Sequence, residues 1–117
     1  MTIDNVAGLL DGELVFKGEG AGRRVAHVVV SDLMSDVLLV DQDDILLITS
    51  LASDQVLRTA QIVGAVGVVV GNGKPLPSTM LSVAEALKMS LITAPHAKYE
   101  CCTRIYEELK RETSHGS

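Results

Sequence analysis

Two rhythms of apolar residues alternate along the chain. Compact blocks of Val, Leu and Ile, at residues 25–30, 45–49, 66–70 and 91–93, are separated by stretches in which apolar positions recur every three or four residues. The first rhythm predicts strands buried on both faces, and the second predicts amphipathic helices. A further strand, residues 13–17, alternates instead, with Leu14 and Phe16 on one side. Ahead of it, Thr2 is expected to cap a short helix that buries Ile3, Val6, Leu9 and Leu10 and is closed by Gly12.

The helical stretches carry their own punctuation. Ser53 caps a helix to about Gly64 that turns Val56, Leu57, Ala60 and Val63 inward. Ser78 is expected to cap the next, which buries Met80, Leu81, Ala84 and Leu87. Pro95 opens a last helix, with Tyr99, Cys102, Ile105, Tyr106 and Leu109 on its inner side. After the second strand, Ser31 is expected to cap a short helix anchored by Leu33, Val37 and Leu38, with Asp32 and Asp36 on its polar side. Glycine-rich and acidic runs at 18–22, 41–44 and 71–75 read as loops. Strands that each lead into a helix through a short loop call for right-handed crossovers and neighbouring parallel strands. The fold class is α/β: a single three-layer domain with a mainly parallel sheet and helices on both faces. Residues 1–112 make up that domain, and 113–117 read as a flexible C-terminal tail.

Charge and composition narrow the function. Ten basic against fifteen acidic residues give a net charge of −5, and there is no Trp, one Phe and two Tyr. That is the reverse of a nucleic-acid footprint, which wants basic surface and aromatic stacking platforms. No apolar run approaches the roughly 18 residues that cross a bilayer. The first residues lack a signal peptide's basic start and apolar stretch, and two adjacent cysteines give no disulfide framework, so a cytoplasmic setting is expected.

Open parallel sheets gather ligands beyond the carboxyl ends of their strands, where loops feed helix N-termini. Those positions here are Ser31 and Asp32, Thr49 and Ser50, Gly71, Asn72, Gly73 and Lys74, and residues 93–96. The glycine loop fails both phosphate-binding patterns. Counting back from Gly73 and Lys74, a P-loop would start at Val68, and Pro75 follows the lysine. The dinucleotide pattern fails at Leu76, and for Gly18 and Gly20 it fails at Arg23. A weaker role remains, in which backbone N–H groups of the loop and Lys74 hold an anion. Asp32 and Asp36 are candidate ligand-binding carboxylates, weighed against a plain capping role. His27, in a strand expected to be buried, reads as a core residue, and Cys101 and Cys102 lack the partners a zinc site needs. No metal, cofactor or catalytic residue is assigned.

Taken in order, residues 31–37, Leu46–Thr49, Gln55–Ala60 and the run Gly71–Pro75 resemble the DRTGG domain family over about residues 3–110, especially its small stand-alone members found beside iron-only hydrogenase genes. Asp54 keeps the first position of the family's Asp-Arg pair, while Gln55 stands in place of the arginine. Val70-Gly71-Asn72 occupies the place of Thr-Gly-Gly. The family is similar to the N-terminal domain of HPr kinase/phosphorylase, whose phosphate chemistry belongs to a different, P-loop-bearing domain. The resemblance implies a regulatory or interaction module, often dimeric, with a hydrogenase-related partner. Two readings follow. The first is a non-enzymatic regulatory module that self-associates as a homodimer and docks on a partner protein. The second is a sensor of a small anion or nucleotide at the strand ends.

Overall fold

The computed structural model describes residues 1–116, and the side chains of residues 1–113. Five helices and five strands follow one another: α1 (Ile3–Leu9), β1 (Glu13–Phe16), β2 (His27–Val30), α2 (Met34–Val37), β3 (Ile45–Thr49), α3 (Asp54–Ile62), β4 (Gly67–Val70), α4 (Ser78–Leu87), β5 (Ser90–Thr93) and α5 (Lys98–Gly116). A 3-10 turn at Glu19–Gly22 joins β1 to β2. The five strands form one sheet in the order β1-β5-β4-β3-β2, parallel throughout except for β1, which runs antiparallel to β5.

That order explains the layering. From β2 to β5 each strand is laid beside its predecessor in one direction, and parallel crossovers take one hand. Successive crossover helices must then fall on the same face. Met34 and Val37 of α2, Val56, Leu57 and Ala60 of α3, and Met80 and Ala84 of α4 accordingly share one core with Ile45, Leu47, Val68, Val70 and Leu91. The alternate strand residues, Leu46, Ile48, Val69 and Ile92, point the other way. They pack under Ile3, Val6 and Leu10 near α1 and under Cys101 and Ile105 of α5. The three-layer α/β architecture expected from the sequence is the architecture found. β3 and β4, flanked and covered on both sides, are buried at every position.

Several local expectations are corrected. β2 is an edge strand, so it is half-buried rather than buried, and His27 is exposed, donating from Nδ1 to the Asp43 carbonyl at 3.0 Å. The short helix starts at Met34 rather than after Ser31, and Met34 and Val37 anchor it. Leu33 and Leu38 face solvent with Leu39, at 57%, 49% and 81% exposure. Ser78 makes no side-chain cap, and Pro77 occupies the N-cap of α4, with Leu81 largely exposed. α5 begins at Lys98, and its inner stripe centres on Cys101 and Ile105, leaving Tyr99 and Tyr106 outside. Cys102 and Leu109 only line the edge of that core. At α1, Asp11 rather than Gly12 takes the left-handed turn. Ser53 does cap α3, accepting from the Gln55 N–H at 3.2 Å, and Gly64 ends that helix at φ +70°. Helical backbone continues to Gly116. Of the expected tail, residues 113–117, Thr113 lies in α5 and donates from its hydroxyl to Leu109 O at 2.9 Å, and the side chains from residue 114 on lie outside the described residues.

Candidate functional site

The carboxyl ends of β2, β3 and β4 meet where two helix starts face each other across the sheet, α3 on one side and α5 on the other. β3 hands the chain to α3, and β5 hands it to α5 on the opposite face. That reversal of faces sets the starts of α3 and α5 on opposite sides of the strand ends. Ser31, Asp32, Thr49, Ser50 and Lys74 come together there, joined by Lys98 from the first turn of α5.

Asp32 is the centre of the cluster. Its Oδ1 accepts from the Thr49 hydroxyl at 2.8 Å and from the Ser50 backbone N–H at 2.7 Å. Its Oδ2 accepts from the Ser50 hydroxyl at 2.6 Å and is ion-paired with Lys98. Partial burial pushes the Asp32 carboxyl upward, but Lys98, the two Ser50 donors and Thr49 together outweigh it and hold the group well below the usual carboxylate range. A carboxylate so fully engaged is a structural anion and not a proton shuttle. The hydroxyls of Thr49 and Ser50 are likewise both spent on it.

The neighbouring parts tie the cluster together. Ser31 is not a helix cap but closes a short turn, its Oγ accepting from the Leu33 N–H at 3.0 Å. Thr49 Oγ1 also accepts from the Leu51 N–H at 3.1 Å. Lys74 folds back so that Nζ donates to the Ser50 carbonyl at 2.7 Å. The glycine loop does not present its N–H groups to the cluster. Gly71 donates to Thr49 O at 2.8 Å, Asn72 to His96 O at 2.7 Å and Gly73 to Ala94 O at 2.9 Å. Asn72 and Gly73 are both left-handed, at φ +68° and +61°. Gly71 is needed for another reason: a Cβ there would lie 3.0 Å from His96 O and 3.2 Å from Lys98 N. The loop is thus a tight backbone weld between β4 and the start of α5, and Lys74 is its one side chain that reaches the cluster.

Asp36 is not drawn into this cluster. Its carboxylate faces solvent on α2, with no hydrogen-bond or ion-pair partner among the described residues. His96, among the strand-end residues 93–96, is engaged away from Asp32. Its Nε2 lies 3.0 Å from Asp11 Oδ2 and its Nδ1 3.2 Å from Glu100 Oε2, with Arg104 bridging the same two carboxylates. Burial pushes both cysteine thiols up, which leaves them poor nucleophiles. No group of metal-ligating side chains is assembled among the described residues, and none of their helices is long and apolar enough to cross a membrane.

Lys98 was the residue the sequence pattern did not single out. One signal for it exists: a lysine in the first turn of a helix is disfavoured by the helix dipole, so a carboxylate must compensate it. Only the fold says which.

The fold defines a small α/β module whose parallel strand ends carry a polar cluster centred on the Asp32 carboxylate. No family model matches the chain, and no curated protein does. Among solved structures it is similar to the CBS and DRTGG domains of the regulatory region of Clostridium perfringens pyrophosphatase, determined with the activator diadenosine tetraphosphate. The TM-score is 0.68 at 17% identity, covering 89% of this chain and 45% of that one. This chain therefore spans less than half the length of that neighbour. The likeness is one of fold, and it agrees with the α/β architecture implied by the DRTGG resemblance. It lends no support to the narrower resemblance to hydrogenase-associated members.

Proposed function

We propose that the chain is a non-enzymatic regulatory module that senses a small anionic ligand, of the phosphate or nucleotide class, at the carboxyl ends of its parallel strands. The observation that carries this reading is the Asp32 cluster. Two hydroxyls, a backbone N–H and an ammonium converge on one carboxylate, with the Lys74 ammonium beside it. These are the donors that a phosphate oxygen takes. The internal carboxylate stands where such an oxygen would, and an incoming anion competes with Asp32 for Lys98, Ser50 and Thr49. Displacing Asp32 frees the 31–39 segment that carries α2, which gives binding a way to alter the surface. The structural neighbour, solved with a dinucleotide activator on its regulatory region, supports nucleotides as the first class to try.

A thermal-shift series with diadenosine tetraphosphate, adenine mononucleotides and inorganic phosphate tests this. At a hundredfold excess over the dissociation constant, binding adds about 2.7 kcal/mol of stability, a readily measured shift. Lys98→Ala and Lys74→Ala are expected to lose the shift. Asp32→Asn is expected to enlarge the response by removing the competing charge. No shift with any of the compounds at millimolar concentration rejects the reading.

The sequence pointed also to self-association and to docking on a partner protein. The reading proposed here keeps both as the means by which a bound ligand would be reported. The apolar surface around β2 and α2 supports the first of them.

A further inference from the structure

Beyond the Asp32 cluster the strand-end surface continues past Lys74. There the chain runs Pro75-Leu76-Pro77 into α4. Two prolines in three residues fix φ near −65° and hold the residue before each of them extended, so this segment is a stiff wall rather than a loose loop. Opposite it stand the start of β1 and the end of β5, paired through Glu13 and Thr93. Between them lie two open grooves of about 340 Å³ each. They share Glu13, Lys74 and Thr93 and so adjoin as one trough.

The part of the trough beside α4 is walled by aliphatic side chains, Val15, Leu76 and Leu81 with the two prolines. Leu81 is a large apolar residue that the fold leaves 37% exposed there. The charges along the trough number three, and each can be accounted for. Asp11 is paired with Arg104 and lies against His96. Lys74 lines both grooves, yet its Nζ ends on the Ser50 carbonyl, and Ser50 in turn holds Asp32. Lys74 is thus the bridge from the trough to the cluster. Glu13 is exposed, and its carboxylate has no hydrogen-bond or ion-pair partner among the described residues.

We propose that this trough takes the nucleoside half of a ribonucleotide whose phosphates lie on Lys74 and Lys98, with Glu13 accepting from the ribose hydroxyls. The inference rests on the anion-sensing reading above and narrows its ligand from any phosphate to a nucleoside phosphate. Three observations select that occupant. A free phosphate makes no use of the aliphatic wall, and a sugar phosphate turns hydroxyls to it, whereas a flat base has apolar faces to lay against Leu76 and Leu81. Vicinal hydroxyls are the donors that a partnerless carboxylate takes in charge-assisted hydrogen bonds. The same carboxylate repels a phosphate, so it sets the direction of the ligand, with the sugar at Glu13 and the phosphates toward the lysines. The proline-stiffened wall keeps its shape without the ligand, which lowers the cost of ordering it on binding.

The test is titration calorimetry of the whole chain with pyrophosphate, ADP and 2′-deoxy-ADP, pyrophosphate being the anionic half of ADP. It is run on the wild type and on Glu13→Gln and Leu81→Gln, both at exposed positions. The wild type is expected to bind ADP roughly tenfold more tightly than pyrophosphate, the gain from covering part of an aliphatic wall. It is expected to prefer ADP to the deoxy form by about fivefold, the worth of one hydrogen bond to a charged acceptor in partial contact with water. Leu81→Gln should remove most of the advantage of ADP and leave pyrophosphate unchanged. Glu13→Gln should erase the ribose preference, and both variants should keep their circular dichroism. Should one variant fail to fold, the other decides. Equal affinity of the wild type for ADP and pyrophosphate overturns the nucleoside subsite and leaves the anion reading standing. So does an ADP affinity that Leu81→Gln leaves untouched, or a ribose preference that survives Glu13→Gln. If none of the three compounds binds, the anion reading falls and the subsite falls with it.

Discussion

At neutral pH the Asp32 carboxylate is a charge held by four donors, three from Thr49 and Ser50 at the end of β3 and one from Lys98 at the start of α5, and its worth is measurable. Its folded-state pKa lies below the ordinary 3.8, so the folded protein binds that proton more weakly than the unfolded chain. The stabilisation is therefore complete above about pH 5 and drains away as the pH falls through the ordinary carboxylate range and below it. Asp32→Asn keeps the shape and removes the charge. The side chain is 39% exposed, so solvent screening reduces the effect, and a loss of about 1–2 kcal/mol at pH 7 is expected. Urea titrations from neutral to acidic pH should show the gap between wild type and variant closing as the wild-type carboxylate protonates. A gap that stays constant would mean that charge has no part in it. Asp36→Asn, at an exposed position of α2, is expected to change stability at pH 7 by no more than about 0.5 kcal/mol. From the sequence the two aspartates looked equivalent. Which of them found partners depended on Thr49, Ser50 and Lys98, up to 66 residues away.

The elements that matter most to the site are the Gly71 loop and α5. A methyl group on Gly71 would press on the His96 carbonyl and the Lys98 N–H, both parts of the backbone rather than movable side chains. Gly71→Ala is therefore expected to shift the first turn of α5, weakening the Lys98–Asp32 pair. It should lower stability by about 1–3 kcal/mol, the usual cost of overpacking. Combined with Asp32→Asn, it should cost less than the sum of the two, because both act on one ion pair. Strict additivity in the double variant would separate the loop from the cluster. The periodicity of α5 was legible, but its phase was not. The apolar set 99, 102, 105, 106 and 109 spans about 120° of the helix, and Cys101 extends the arc by about 40° on the Ile105 side. The sheet beneath selected Cys101 and Ile105, about 40° apart, and left both tyrosines, with their hydroxyls, in water.

For the molecule as a whole, the strand order ranks local stability. β3 and β4 are paired on both sides and covered on both faces, so their amides should exchange with solvent only on global unfolding. Val28 and Val30, whose N–H groups point to the open side of β2, should exchange fastest among strand residues. Hydrogen exchange followed residue by residue checks both, and unprotected β3 amides would contradict the sheet order itself. The sequence by itself determined the α/β class, the strand and helix succession and the loops where a site could form. Those follow from local periodicity and turn chemistry, which a single segment carries within itself. It could not say that β2 stands at an edge, since a valine run reads the same whether one neighbour or two will cover it. Nor could it say that α2 would turn Met34 inward and its leucines outward, or that Asp32 would be held by Lys98 while Asp36 and His96 were left apart. Those outcomes belong to pairs of residues far apart in the chain. Only the order of strands in the sheet, with the reversal of faces after β5, brought such pairs within bonding distance.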